Sequence, residues 1–302
     1  MSMAIGSISG GMGSWAATRR YVDQHGAGDL HLLFTDTLCE DQDGYRFLIK
    51  AAADLFGAQA PEIPAIEDFP AWEDRTAYKA FVLALAASTS RAMPRMHWVS
   101  DGRDPWDVYE AERFLGNSSV DPCSKILKRQ AAATWLKEHC NPADTTIIFG
   151  IDHEEEHRFF GGPRSAGIKA RWLEDGWETA APLCDAPYLS RKRLLDSLDA
   201  VGLWLPRLNR LGFSHNNCGG HCCKGGHGHW RLMLDVFPER YAYVEWREQQ
   251  IRELLGKDVA MLTDRRGGEK KPLTLASLRT RTLTPVEAAD MGACNCFTGD
   301  AA

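Results

Sequence analysis

A chain of 302 residues, 44% hydrophobic and 25% charged, has the composition of a soluble globular protein with a sizeable core, in one large domain or one domain plus an appendage. A formal net charge of -6 excludes a global basic field that would gather nucleic acid; local basic faces remain at Lys125, Lys128 and Arg129 and at Arg191, Lys192 and Arg193. No apolar stretch is long enough to span a bilayer and the start lacks the basic-then-apolar pattern of a signal peptide, so the expectation is a cytoplasmic chain with no membrane partner.

Residues 1–58 read β-α-β-α: strand 3–8, helix 14–25, strand 30–35, helix 41–57. The Pro- and acid-rich stretch 59–75 reads as loop, and the Ala-rich stretch 76–92 as helix. Asp121-Pro122 is a helix start signal, with Pro at the first helical position, and predicts a helix over 122–139. Thr145 to Gly150 is a short, continuously apolar strand of the kind buried on both faces. A charged amphipathic helix over 190–203, a Gly-, His- and Cys-rich stretch over 213–229, a helical stretch over 230–256 and a polar loop over 264–272 follow. The alternation predicts an α/β fold with a doubly wound parallel sheet over 1–204. Residues 205–302 are expected to form a metal-binding helical extension packed over a nucleotide site.

The most informative segment is Ser9-Gly10-Gly11-Met12-Gly13-Ser14, a Gly-rich turn between a buried strand and a helix. Glycines let backbone N–H groups curl around an anion without interference from Cβ atoms, and the helix N-terminus adds partial positive charge. Ser9 and Ser14 add hydroxyls at the edges of this phosphate cradle. No Lys-Ser/Thr closes the loop and G-x-G-x-x-G is absent, so the cradle is neither a Walker loop nor a dinucleotide fingerprint. An ordinary flexible turn is the competing account. Asp36, at the carboxyl end of the second strand, lies where open α/β sheets bind nucleotide ribose.

Nine cysteines in such a chain argue for metal rather than disulfides. Cys218, Cys222 and Cys223 cluster in one Gly-rich loop, and Cys294 and Cys296 in the tail. Cys140 and Cys184 read as small apolar fillers. Cys39 reads as a lone residue, set apart by its closeness to Asp36. Glycines would let the 216–229 loop wrap a metal. Two metals compete: zinc, with Cys218, Cys222 and His227 or His229, or an iron–sulfur cluster, which the number of thiolates favours. Free thiols in a Gly-rich turn are the third account. After the fourth predicted strand, Gly150 to Arg158 forms an acidic loop in which Arg158 could clamp a phosphate or a pyrophosphate leaving group.

These pieces, in this order, resemble the adenine-nucleotide α-hydrolase superfamily with its PP-loop, and within it the phosphoadenylylsulfate reductase family, especially members common in phage and mobile DNA. The resemblance covers about Ile5 to Glu245. It is carried by Ser9-Gly10-Gly11-x-x-Ser14, Phe34-Thr35-Asp36-Thr37, Asp121-Pro122-Cys123-Ser124-x-x-x-Lys128, Gly150-Ile151 with Glu155 and Arg158, and Pro206 to Phe213 leading into Cys218 and Cys222. The chain departs from the family in three places: Gly13 stands where the PP-loop usually carries Asp, Cys123 is single rather than a tandem pair, and no E-C-G-L-H tail is present.

The pattern is closer to PP-loop sulfurtransferases that carry a cluster. The resemblance implies ATP and Mg2+ at Ser9, Gly10, Gly11, Gly13, Ser14, Thr35, Asp36, Lys128 and Gly150. It implies catalytic roles for Glu155, Arg158, Cys294 and Cys296. It further implies a [4Fe–4S] cluster on Cys123, Cys218 and Cys222, with Cys223, Cys294 or Cys296 as fourth ligand and zinc as the alternative. Cys123 is expected to be a thiolate, through the helix N-terminus behind it. The implied partners are a nucleic acid or nucleotide acceptor and a cysteine desulfurase or other sulfur donor; a homodimer is compatible with the pattern. Reduction of adenylylsulfate is the alternative activity, and nucleotide or redox sensing in a phage or defence system the non-enzymatic one.

Overall fold

The computed structural model describes residues 3–163 and 165–292. Five parallel strands form one sheet in the order β3-β2-β1-β4-β5: β1 Met3–Ser7, β2 Leu30–Asp36, β3 Met96–Ser100, β4 Thr145–Ile148 and β5 Glu178–Ala180. Chain order reverses at β1, with β2 on one side and β4 on the other. That reversal opens a crevice beyond the carboxyl ends of β1 and β4, the usual ligand position in open α/β sheets.

Alternate residues of the strands feed two cores, one on each face of the sheet. Ala4, Leu32, Phe34 and Ile148 enter the larger core, together with α1 (Met12–His25), α2 (Gln42–Leu55), α3 (Arg75–Ala92) and most of the chain after residue 190. Ile5, Leu33 and Ile147 enter the smaller one, with Ala132 and Leu136, Phe159, Ile168 and Trp177. Helices therefore cover both faces, as expected of a doubly wound arrangement.

Residues after 204 share the larger core rather than forming a separate one. Leu208, Phe213, Cys218, Trp230, Met233, Tyr241 and Val244 are buried in it beside Tyr45 and Trp72. Charge ties the two parts as well. Asp41, at the N-cap of α2, accepts from Arg207 and Arg240, at 2.6 Å and 2.8 Å, although all but a sliver of it is buried. Burial alone would raise its pKa, but Arg240 and Arg207 overcome that and hold Asp41 below the usual carboxylate range.

Several elements differ from the sequence reading. β3, β5 and the short helices α4 (Pro105–Glu112), α6 (Glu156–Phe160) and α7 (Gly167–Glu174) carry no clean periodicity. The helix predicted over 122–139 does begin at 122, but its Ser124–Gln130 turn is π-helical before α5 (Ala131–His139). The predicted helix over 190–203 is α8 (Arg191–Ala200), and a single turn, α9 (Arg207–Arg210), follows. The stretch 230–256 is two helices, α10 (His227–Val236) and α11 (Pro238–Leu255), because Pro238 cannot donate into a continuing ladder. The polar loop over 264–272 is the turn of a hairpin, β6 (Leu262–Asp264) with β7 (Lys271–Leu273). Among the described residues no helix is long and apolar enough to cross a membrane.

Candidate functional site

The cradle stands where the sequence put it. The chain leaves β1 at Ser7 and enters α1 at Met12, with Gly11 as an extended N-cap residue (φ -119°). No side chain caps this helix and no acidic residue occupies its first turn, so its leading N–H groups have no side-chain acceptor at the cap. Two serines brace the loop. Ser9 N–H donates to Ser14 Oγ (3.0 Å), the two hydroxyls lie 3.1 Å apart, and Ser14 Oγ donates to the Gly11 carbonyl (3.1 Å). The loop after β4 closes one side: a Cβ on Gly150 would lie 2.5 Å from Ser14 Cα, so only glycine lets the two turns meet. Gly10, Gly11 and Gly13 do not take positive φ, contrary to the expectation of curled glycines. Their value is space, since a Cβ on Gly11 would meet nothing nearer than Ser9 Oγ at 3.5 Å.

Asp36 does not face a ligand. It is completely buried, and its carboxylate accepts from Leu38 N–H (2.8 Å), Tyr45 O–H (2.8 Å) and Trp98 Nε1–H (2.9 Å). Burial raises its pKa against these three bonds. It ties the turn after β2 to α2 and β3, and the ribose role expected of it has no support in these contacts. Thr35 is likewise buried within β2, paired with Val99. Lys128 is buried in the π turn, 3.5 Å from Glu40, and lends its charge to Cys218 rather than to the cradle. Glu155 and Arg158 pair with each other at 2.6 Å on the segment after β4.

The thiols come together from three distant segments. Cys39, Cys123, Cys218, Cys222 and Cys223 are all buried and none forms a disulfide. They form a chain of sulfur contacts: Cys39 with Cys218, Cys218 with Cys222, Cys222 with Cys223, and Cys223 with Cys123. Thr37 Oγ1 meets Cys39 Sγ at 2.9 Å at one end, and Tyr109 O–H meets Cys123 Sγ at 3.3 Å at the other. Lys224 pairs with Asp121 at 3.3 Å and so fastens the loop that carries Cys223 to the turn that carries Cys123.

Hydrogen bonds from Cys222 and Cys39 push the Cys218 thiol well down, and bonds from Cys123 and Cys222 do the same for Cys223. The expectation of a Cys123 thiolate fails. Cys123 bonds to Cys223 as its proton donor and is buried, and both raise its pKa well above normal despite the helix start behind it. Cys39 is raised too, chiefly by burial. Cys140 is half-buried beside Met3, and Cys184 donates to the Ile151 carbonyl at 3.4 Å. Cys294 and Cys296 lie outside the described residues.

Cys39 is the residue the sequence reading missed. Its sequence neighbours gave no metal-like spacing. No signal in the sequence marks it; the contact appears only in the fold, where Gly219 takes φ +59° and a Cβ there would lie 2.5 Å from the Cys39 carbonyl. The glycine folds the thiol loop directly onto the turn after β2. Of the histidines proposed for zinc, His229 meets the Gly220 carbonyl through Nε2 and His227 meets Asp290 through Nδ1 at 3.2 Å, and the other ring nitrogen of each has no hydrogen-bond partner. His221 is buried, its pKa pushed down to about 3 mainly by burial, and its two ring nitrogens have no hydrogen-bond partner.

The cradle and the thiols adjoin. Asn216 Nδ2 donates to the Gly10 carbonyl at 2.9 Å, two residues before Cys218. Among the described residues no group of three or more His, Cys, Asp or Glu closes on a single metal ion. The thiols are spread along a line of contacts instead. An all-sulfur donor set, two of whose thiols have their pKa pushed down, suits an iron–sulfur cluster better than a lone zinc ion with histidine ligands. No protein-family model matches the chain, and no curated protein matches it.

Proposed function

We propose that this chain is a PP-loop, ATP-dependent sulfurtransferase or related adenylating enzyme that carries an iron–sulfur cluster and acts on a nucleic acid or nucleotide. The observation that carries the reading is the Asn216–Gly10 hydrogen bond, which joins an open anion cradle to a buried set of five thiols. Sulfur chemistry and a phosphate site held side by side suit a reaction that activates an oxygen with ATP and replaces it with sulfur.

In this reading the N–H groups of Gly11 to Ser14, with Ser9 beside them, hold the β- and γ-phosphates of MgATP. The acceptor oxygen attacks the α-phosphorus and pyrophosphate leaves. Arg158 exchanges Glu155 for the departing phosphates. A sulfur nucleophile, supplied by a cysteine desulfurase or another donor, then displaces AMP. Cys123, Cys218, Cys222 and Cys223 would hold the cluster, which when bound supplies a place to keep reactive sulfur away from water. On the Cys218 side of this pocket Glu40 lies 3.5 Å from Lys128; burial lifts Glu40 to about 8 while Lys128 opposes the rise.

The test is release of AMP and pyrophosphate from ATP by anaerobically purified protein, alone, with RNA, with DNA and with adenylylsulfate. Release that depends on RNA or DNA supports the reading. Sulfite from adenylylsulfate would replace it with the reductase alternative, and no turnover with any substrate would leave the sensing role. Iron and sulfide counts accompany the assay; stoichiometric zinc without iron would overturn the cluster.

A further inference from the structure

We propose that His221 donates an imidazole N–H hydrogen bond to a sulfur of the metal centre held by the surrounding thiols, and so is a positioning residue that tunes its potential. The inference rests on the iron–sulfur reading above. His221 is 4% exposed, yet neither Nδ1 nor Nε2 has a hydrogen-bond partner. Buried polar groups are nearly always paired, and a neutral imidazole brings one donor and one acceptor that need partners.

Its surroundings hold the ring in place without satisfying it. Trp72 packs edge-on at 4.4 Å, and the indole N–H is already spent on the Cys39 carbonyl. The His221 backbone N–H donates to the Cys218 carbonyl at 3.1 Å. This closes a tight turn that brings the imidazole within electrostatic reach of the Cys218 sulfur. His227 and His229 in the same loop each have one ring nitrogen partnered, on Asp290 and Gly220, whereas His221 has neither. Cys123, Cys218, Cys222 and Cys223 already offer four sulfur donors, so the imidazole is not needed as a ligand and its natural partner is sulfur. A hydrogen bond to cluster sulfur spreads negative charge and favours the reduced state.

The test uses the full chain, purified without oxygen, as wild type, His221→Gln and His221→Leu. Iron and sulfide are counted, the midpoint potential is titrated, and pulsed EPR is recorded on reduced protein labelled with nitrogen-15 in histidine. The expected result is equal iron in all three, a more negative potential in His221→Leu, an intermediate one in His221→Gln, and a weak imidazole coupling in wild type that His221→Leu lacks. A strong coupling of the directly coordinated kind, iron loss in both variants, or an unchanged potential with no coupling would overturn it. Should His221→Leu fail to fold, the wild-type coupling decides alone. A wild type without iron overturns the cluster reading itself, whereas iron without coupling overturns only the role of His221.

Discussion

Two Gly-rich loops meet at this site and use glycine in opposite ways. In the cradle, Gly10, Gly11 and Gly13 adopt backbone conformations open to other residues; Gly10 and Gly13 lie against the Gly44 and Gly150 backbone, and the space left by the missing side chain of Gly11 stays open. In the thiol loop, Cys218, Gly219 and Gly220 all take positive φ, and the chain packs onto itself, Gly219 against Cys39 and Gly228 against the Ala288 carbonyl. The first loop reserves space for something outside the chain. The second spends its glycines on its own fold. Composition alone does not distinguish them, because both read as flexible Gly-rich turns.

The comparison is broken most easily at Gly219. Gly219→Ala forces a Cβ into the Cys39 carbonyl at a left-handed backbone position, so a loss of about 3 kcal/mol or more is expected, read as a lower urea midpoint with unchanged slope. A loss within about 0.5 kcal/mol would mean that the loop does not press on the turn after β2.

Asp36→Ala comes next. It strands the Tyr45 hydroxyl, the Trp98 indole N–H and the Leu38 N–H in the core, so about 2–3 kcal/mol of stability should be lost with ATP affinity, by calorimetry, nearly unchanged. Loss of ATP affinity in a variant of wild-type stability would return Asp36 to the ribose.

Gly11→Val should do the reverse. The extended N-cap conformation accepts valine, so the denaturation midpoint should stay close to wild type, while the branched side chain fills the cradle and ATP affinity falls at least about tenfold, or 1.4 kcal/mol. Equal affinity for ATP in the two proteins would remove the phosphate role from this loop.

The smallest effect expected is away from both loops. His97 Nε2 lies 2.8 Å from His31 Nδ1, and burial, with His31 and His139 nearby, lowers its pKa to about 4. The folded state therefore binds fewer protons than the unfolded state between pH 6.5 and about 4. Stability should fall as pH drops through that window, and His97→Phe should flatten the dependence. A thermal-melt series that shows the same slope in both proteins would assign the acid sensitivity to other groups.

The cradle was legible because it is local. A strand, a Gly-rich turn and a helix start lie within Met3 to Trp15, and each has its own sequence signal. The thiol set was legible only in part. Cys218, Cys222 and Cys223 advertise themselves by spacing, and Cys123 by resemblance, but Cys39 sits in an unremarkable strand-end sequence. Asp36 misled for a related reason. Its position at the end of β2 is the right one for a ligand, and only its burial beside Tyr45 and Trp98 shows that its hydrogen bonds are already used.

By itself the sequence determined the β-α-β frame, the edge of the sheet where the chemistry gathers and the sulfur-rich character of the loop after residue 213, because periodicity and local turn chemistry act over a few residues. Which thiols meet, which of them have their pKa pushed down or up, and how both ring nitrogens of His221 come to be buried without a partner were decided only by the tertiary structure. Those properties depend on contacts between segments far apart in the chain, as when Cys39 meets Cys218, and on the burial that excludes water from between them.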